Sequence, residues 1–119
     1  MTESAFLKLV QDAKSRISEC EMSEIKEMIA NDKIDGFLVD VRELAEFQAG
    51  CIPGAIHISK GLLEAKIEAK IPNKSQKIYL YCGGGYRSAL SADSLQKMGY
   101  ENIFSINPNK SGLLTSSIK

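Results

Sequence analysis

The chain has 119 residues, a formal net charge of zero and no basic run or arginine-rich stripe, which argues against a nucleic-acid surface and leaves small anions to be held by local geometry. Its longest apolar stretches fall far short of a membrane span and its N-terminus is too charged for a secretory signal peptide, so a soluble, cytoplasmic protein with no membrane partner is expected. Three cysteines, Cys20, Cys51 and Cys82, with one histidine and no C-x-x-C pair, argue against both a disulfide framework and a structural zinc site.

The length suits one domain with a core that needs neither disulfide nor metal. Residues 4–16 read as an amphipathic helix, with Phe6, Leu7 and Val10 on one face and Ala13 and Ile17 as candidates to extend it. A second helix covers 23–30, with Glu21 and Ser23 as rival N-caps. Residues 36–41 form a continuous apolar strand, as expected where helices cover both faces of a parallel sheet. A short helix at 43–49 ends at Gly50, Ile52-Pro53-Gly54 turns the chain, and 55–58 gives another short strand. A helix at 62–70 stops before Pro72, since the residue preceding proline disfavours helix. Residues 77–81 read as a buried strand, 87–98 as a helix closed by Gly99, and 102–106 as a further strand. This alternation predicts an α/β sandwich with right-handed crossovers.

The stretch Tyr81-Cys82-Gly83-Gly84-Gly85-Tyr86-Arg87-Ser88 places a cysteine between that strand and that helix, at a strand's carboxyl end where open sheets bind ligands. Glycines let the backbone turn so that several N–H groups converge ahead of a helix N-terminus. Those groups, the helix dipole and Arg87 all favour a thiolate at Cys82, which is therefore a nucleophile candidate. The plainer alternative is a buried core cysteine beside a glycine-rich connection. As a nucleophile, Cys82 would attack the outer sulfur of a donor such as thiosulfate, expel sulfite and become a persulfide, which an acceptor thiolate or cyanide then relieves. The N–H groups of residues 83–87 would stabilise the persulfide anion, and this chemistry calls for no cofactor and no metal.

Read with Val39-Asp40-Val41-Arg42-Glu43, Glu46-Phe47 and Gly50-Cys51-Ile52-Pro53-Gly54-Ala55-Ile56-His57-Ile58, the loop resembles the rhodanese-like sulfurtransferases over residues 34–106. The resemblance implies a three-layer α/β sandwich with a central, mostly parallel sheet of about five strands flanked by helices. It divides the chain into an N-terminal helix packing on the domain (1–20), the rhodanese-like domain (21–106) and an atypical C-terminal segment or tail (107–119). It implies ping-pong transfer through a Cys82 persulfide, with Arg87 orienting an anionic donor and Gly83, Gly84, Gly85, Tyr86 and Arg87 as the anion-binding loop. The partners it implies are a small sulfur donor and a thiol or cyanide acceptor, including thioredoxin or glutathione. One alternative is a sulfur-carrying or regulatory binding module that does not turn over. A more distant one is phosphatase activity, since related dual-specificity phosphatases use a C-x5-R loop whereas this chain has C-x4-R and no evident Asp general acid.

Supporting roles follow for Asp40, Arg42 and Ser88. Asp40 either bonds to loop backbone and Arg42, holding the turn in shape, or is an ordinary strand-ending cap. Arg42 either adds positive potential at the pocket mouth or pairs with Glu43 or Glu46 at the surface. Tyr86 either flanks the pocket entrance or is an exposed loop tyrosine without a role. His57 is expected to be structural rather than a base, and Cys20 structural. Cys51 stands where many members have histidine; it is either a second thiol able to resolve the persulfide or a small, partly buried residue before Ile52. After Ile106 the chain lacks the family's Gly-Gly, and it has no tryptophan, so 107–119 is expected to be a frayed helix or a tail.

Overall fold

The computed structural model describes residues 4–108. Helix α1 (Ala5–Lys14) is followed by β1 (Ser18–Glu21), α2 (Met22–Ala30), β2 (Phe37–Asp40), α3 (Leu44–Ala49), β3 (Ile56–His57), α4 (Lys60–Lys70), β4 (Lys77–Tyr81), α5 (Tyr86–Lys97) and β5 (Asn102–Asn107). The five strands form one sheet in the order β1-β5-β4-β2-β3, every neighbouring pair parallel. The α/β sandwich that the alternation predicts forms, with the sheet of about five strands that the family resemblance implies. Residues 109–119, which hold most of the segment expected to be a frayed helix or tail, lie outside the described residues.

Side chains alternate across β4 and show why its sequence is apolar throughout. Ile78 and Leu80 pack with Val39, Val41, Leu63, Ile67 and Leu95 on one side. Tyr79 and Tyr81 pack with Met22, Ile25, Leu38, Ile52 and Ile106 on the other. A central strand with two buried faces has no solvated side to mark with polar residues. Tyr81 is fully buried and its hydroxyl accepts the Ile52 N–H at 3.0 Å, which ties the turn before β3 to the centre of the sheet. Gly36 admits β2 against β4, because a Cβ there would collide with the Lys77 carbonyl.

Strand β1 is absent from the sequence reading. It is an edge strand, Ser18-Glu19-Cys20-Glu21, in which only Cys20 is even half-buried, so no apolar run announces it. It also settles the rival caps: the strand runs directly into α2, Glu21 is the N-cap, and its N–H donates to the Glu24 carboxylate at 2.9 Å in a capping box. Helix α1 buries Val10 and Ala13 rather than the whole expected face, and Phe6 stays exposed. Its C-terminal side is fastened to α5 by Arg16, which donates twice to Asp93 at 2.9 and 2.8 Å. That contact holds the Asp93 carboxyl below the usual range. Helix α5 begins one residue before the expected position, and α4 two, because each loop turns into its helix as soon as its cap residue is reached.

Candidate active site

Strand β4 delivers Cys82 to the carboxyl edge of the sheet, and the six residues from Cys82 to Arg87 fold back to open α5. Gly85 makes the turn: its φ is +87°, a conformation costly for any residue with a Cβ, and it is the N-cap of the helix. The turn brings two backbone donors onto the sulfur. The Gly85 N–H lies 3.2 Å and the Ser88 N–H 3.3 Å from the Sγ of Cys82, a residue 3% exposed. The Ser88 hydroxyl lies 3.6 Å from the sulfur and 2.8 Å from the Ser105 hydroxyl, both serines being fully buried. Negative charge on this sulfur is met by N–H groups already in place, at the positive end of a twelve-residue helix.

Arg87 closes the loop but does not point freely into solvent. Its guanidinium donates to Glu46 Oε1 at 2.7 Å and Oε2 at 3.2 Å, and one nitrogen lies over Gly83. The Glu46 contact raises the pKa of Arg87, and the same contact, helped by the Glu43 N–H, pulls the Glu46 carboxyl down to about 2. Helix α3 thereby presents an ionised carboxylate to the loop.

A second pair braces the turn after β2. Asp40, fully buried, accepts from the Arg42 N–H at 2.9 Å and from its guanidinium at 2.7 to 3.1 Å. Arg42 also donates to the Gly50 carbonyl at 2.7 Å and sits 5.6 Å from the centre of the Tyr81 ring. Arg42 therefore does not pair with Glu43 or Glu46 at the surface: it is 6% exposed, and the carboxylate two residues away captures it first. His57 donates from Nε2 to the Arg42 carbonyl at 2.8 Å and stacks on Phe47, so its ring is held by the backbone and an aromatic neighbour. The loop backbone makes no hydrogen bond to the Asp40 side chain among the described residues.

Of the remaining positions singled out in the sequence, Gly83 and Gly84 line the loop without contributing a bond to the sulfur. Tyr86 is 45% exposed and meets Phe6 of α1 edge-on at 6.0 Å. Cys20, Cys51 and Cys82 are free thiols, and burial with the carboxylates of Glu24, Glu21 and Glu19 pushes Cys20 up to about 12. Cys20 is therefore a poor nucleophile. Two residues that matter were not singled out as site residues. Glu46 was read only as part of the Glu46-Phe47 motif and as a surface partner for Arg42. Ser105 interrupts the apolar side of β5 beside Ile103, and a buried hydroxyl among apolar neighbours is the signal that a polar partner exists.

A groove of about 370 Å³ between α3 and α4, lined by Leu44, Ile58, Leu62, Lys66 and Lys70, contains neither Cys82 nor Arg87. Among the described residues no group of His, Cys, Asp and Glu is placed to hold a metal ion, and no helix is long and apolar enough to cross a membrane.

The chain is similar to known proteins. The chain is 32% identical over 94 residues to the putative sulfur carrier protein YrkF of Bacillus subtilis, a match covering 79% of this chain but about half, 49%, of that protein. It is 32% identical over 87 residues to the putative sulfurtransferase YtwF of the same organism, covering 73% of this chain and 82% of the relative. A Rhodopseudomonas palustris protein of unknown function, described as a possible tyrosine phosphatase, superposes with a TM-score of 0.76 at 27% identity, over 90% of this chain and 86% of that one. Residues 21–108, from the end of β1 through β5 and including the cysteine loop, Asp40 and Glu46, match the rhodanese-like domain, and the chain belongs to that family.

Proposed function

We propose that the chain is a sulfurtransferase that moves a sulfane sulfur from a donor such as thiosulfate to a thiol or cyanide through a persulfide on Cys82. Family membership and the sulfurtransferase relative support sulfur transfer in general. The observation that carries the mechanism is the pair of N–H groups, from Gly85 and Ser88, directed at one buried sulfur at the head of α5.

The thiolate attacks the donor's outer sulfur, forming one S–S bond as another breaks, and the electron pair leaves on sulfite when thiosulfate is the donor. The Cys82 persulfide stays within the loop, where the backbone donors and the helix terminus stabilise it. An acceptor thiolate or cyanide then attacks the terminal sulfur and restores Cys82. Small thiols such as glutathione, or a dithiol protein such as thioredoxin, are the acceptors proposed, in a reducing, cytoplasmic setting.

Likeness to a putative sulfur carrier favours a second reading, in which Cys82 loads but releases slowly. Phosphatase chemistry has less support. The carboxylates at the loop and at the turn beside it, Glu46 and Asp40, are each engaged by an arginine, and that contact holds the Glu46 carboxyl well below the usual range.

Thiocyanate formation from thiosulfate and cyanide tests turnover, with persulfide formation on an added thiol as the companion assay. Steady release by wild type and none by Cys82→Ser is expected. Full activity in Cys82→Ser would remove Cys82 from the mechanism, and loading without release would favour the carrier.

A further inference from the structure

The groove between α3 and α4 has a chemistry of its own. Its floor is Ile58, 4% exposed, and its walls are Leu44 and Leu62, which are 53% and 50% exposed. Leu62, Lys66 and Lys70 follow one another at four-residue steps, so they form one stripe of α4 with about 6 Å between successive residues along the axis. Both lysines are exposed, and neither has an ion-pair or hydrogen-bond partner among the described residues. The acidic residues of the same helix, Glu64 and Glu68, are turned about 120 to 160° away from the stripe. Glu68 is also taken by Lys74 at 2.6 Å. Helix α4 thus sorts its charges, leaving two unpaired cations beside two exposed leucines, with no carboxylate among the residues that line the groove.

We propose that this groove docks an acidic amphipathic helix of a partner protein, with carboxylates one turn apart on Lys66 and Lys70 and an apolar side chain between Leu44 and Leu62. Half-exposed walls do not enclose a small ligand, whose pockets cover most of its surface, whereas a helix laid along an open groove needs only one face covered. The chain's own stretch 109–119 carries Lys110 and Lys119 and no acidic residue, so it lacks the complementary charge. A twofold contact of the groove with a second copy would set the lysine pair of one against that of the other. Leu44 lies two residues before Glu46, which holds Arg87, so the partner sits on the helix that braces the cysteine loop. Docking needs no chemistry at Cys82 and stands whether or not that residue transfers sulfur.

The test is an NMR titration of the isotope-labelled full chain with a helical peptide of about 15 residues that carries two glutamates four positions apart and a leucine on the same face. Saturable shifts are expected at the amides of Leu44, Ile58, Leu62, Lys66 and Lys70, with a Kd below about 1 mM. Added salt should weaken binding, since the paired charges are exposed. Joint Lys66→Glu and Lys70→Glu substitution should weaken it by about tenfold or more, and Leu62→Ser by about tenfold with the charges untouched. A peptide with lysines in place of the glutamates should bind the charge-reversed variant and not wild type. No saturation by about 1 mM, or shifts confined to amides away from the groove, would overturn the proposal. So would equal binding of both peptides by wild type, which would leave an apolar surface without charge selection. Concentration-dependent shifts of the groove amides in the absence of peptide would assign the face to a second copy instead. Shifts caused by decanoate and none by the peptide would assign it to a small amphiphile, again against the proposal.

Discussion

Arg87 and Glu46, 41 residues apart in sequence, meet in a two-point contact of 2.7 and 3.2 Å that joins the end of the cysteine loop to helix α3. The contact fixes the guanidinium over Gly83 and sets how much positive charge the loop can offer.

Removing Arg87 should therefore do more than remove a cation, because it leaves Glu46 unpaired beside the loop. Arg87→Ala is expected to slow thiosulfate loading by roughly 10- to 100-fold, with a smaller loss in alkylation of Cys82 by uncharged iodoacetamide. Adding Glu46→Gln to Arg87→Ala should recover part of the loss, a non-additivity that a double-mutant cycle measures directly. Equal losses in both reactions would deny Arg87 its role toward the donor.

The two arginine pairs should differ in stability. Asp40 and Arg42 are both buried, so Asp40→Asn strands a buried guanidinium and should cost about 3 to 5 kcal/mol by urea denaturation. Glu46 and Arg87 have side chains 40% and 32% exposed, and Glu46→Gln should cost at most about 1 kcal/mol.

The Glu46 contact also predicts an acid dependence. Its carboxyl lies near 2 in the fold against an ordinary 4.5, so the stability it contributes is fully present above about pH 4.5 and is lost as pH falls towards 2. Unfolding free energies of wild type and Glu46→Gln should differ by a constant amount above pH 5 and converge below pH 4, as followed by circular dichroism. A constant difference down to about pH 2 would contradict the contact.

Loop glycines should not be equivalent. Gly85 has φ of +87°, and a Cβ there would press to 3.4 Å on Pro108, so Gly85→Ala should cost about 1 to 2 kcal/mol and displace an N–H from the sulfur. Gly84→Ala meets nothing within 4 Å and should be nearly neutral in stability. Differential scanning calorimetry separates the two.

Ser105→Ala should slow Cys82 alkylation by roughly 2- to 10-fold, the range for losing one hydrogen bond, by freeing the Ser88 hydroxyl to turn from the sulfur. Ser105→Thr, which keeps a hydroxyl, should restore most of the rate. Failure of threonine to rescue would assign Ser105 to packing alone.

What the sequence disclosed follows from where its signals were strong. Strands β2 and β4 are buried on both faces and read as continuous apolar runs, and the loop is marked by glycines that have few other reasons to cluster. Strand β1 carried no such signal, because an edge strand paired on one side needs almost no apolar residue. Arg42 was assigned a choice of surface partners because a local helix pattern puts Glu43 and Glu46 nearby. The sequence offers Asp40 as a partner for Arg42, and the fold shows that this bond excludes Glu43 and Glu46, with Glu46 facing Arg87 instead. Ser105 became legible only through its register opposite Leu80, which sets it on the side of β5 that meets Ser88.

The most direct measurement of the central claim is intact-protein mass spectrometry of wild type and Cys82→Ser after incubation with thiosulfate or cysteine persulfide, followed by addition of a small thiol and peptide mapping. The account predicts one added sulfur on wild type, mapped to Cys82, lost promptly to the thiol, and none on Cys82→Ser. Sulfur retained on Cys82→Ser, or mapped to Cys20 or Cys51, would contradict it.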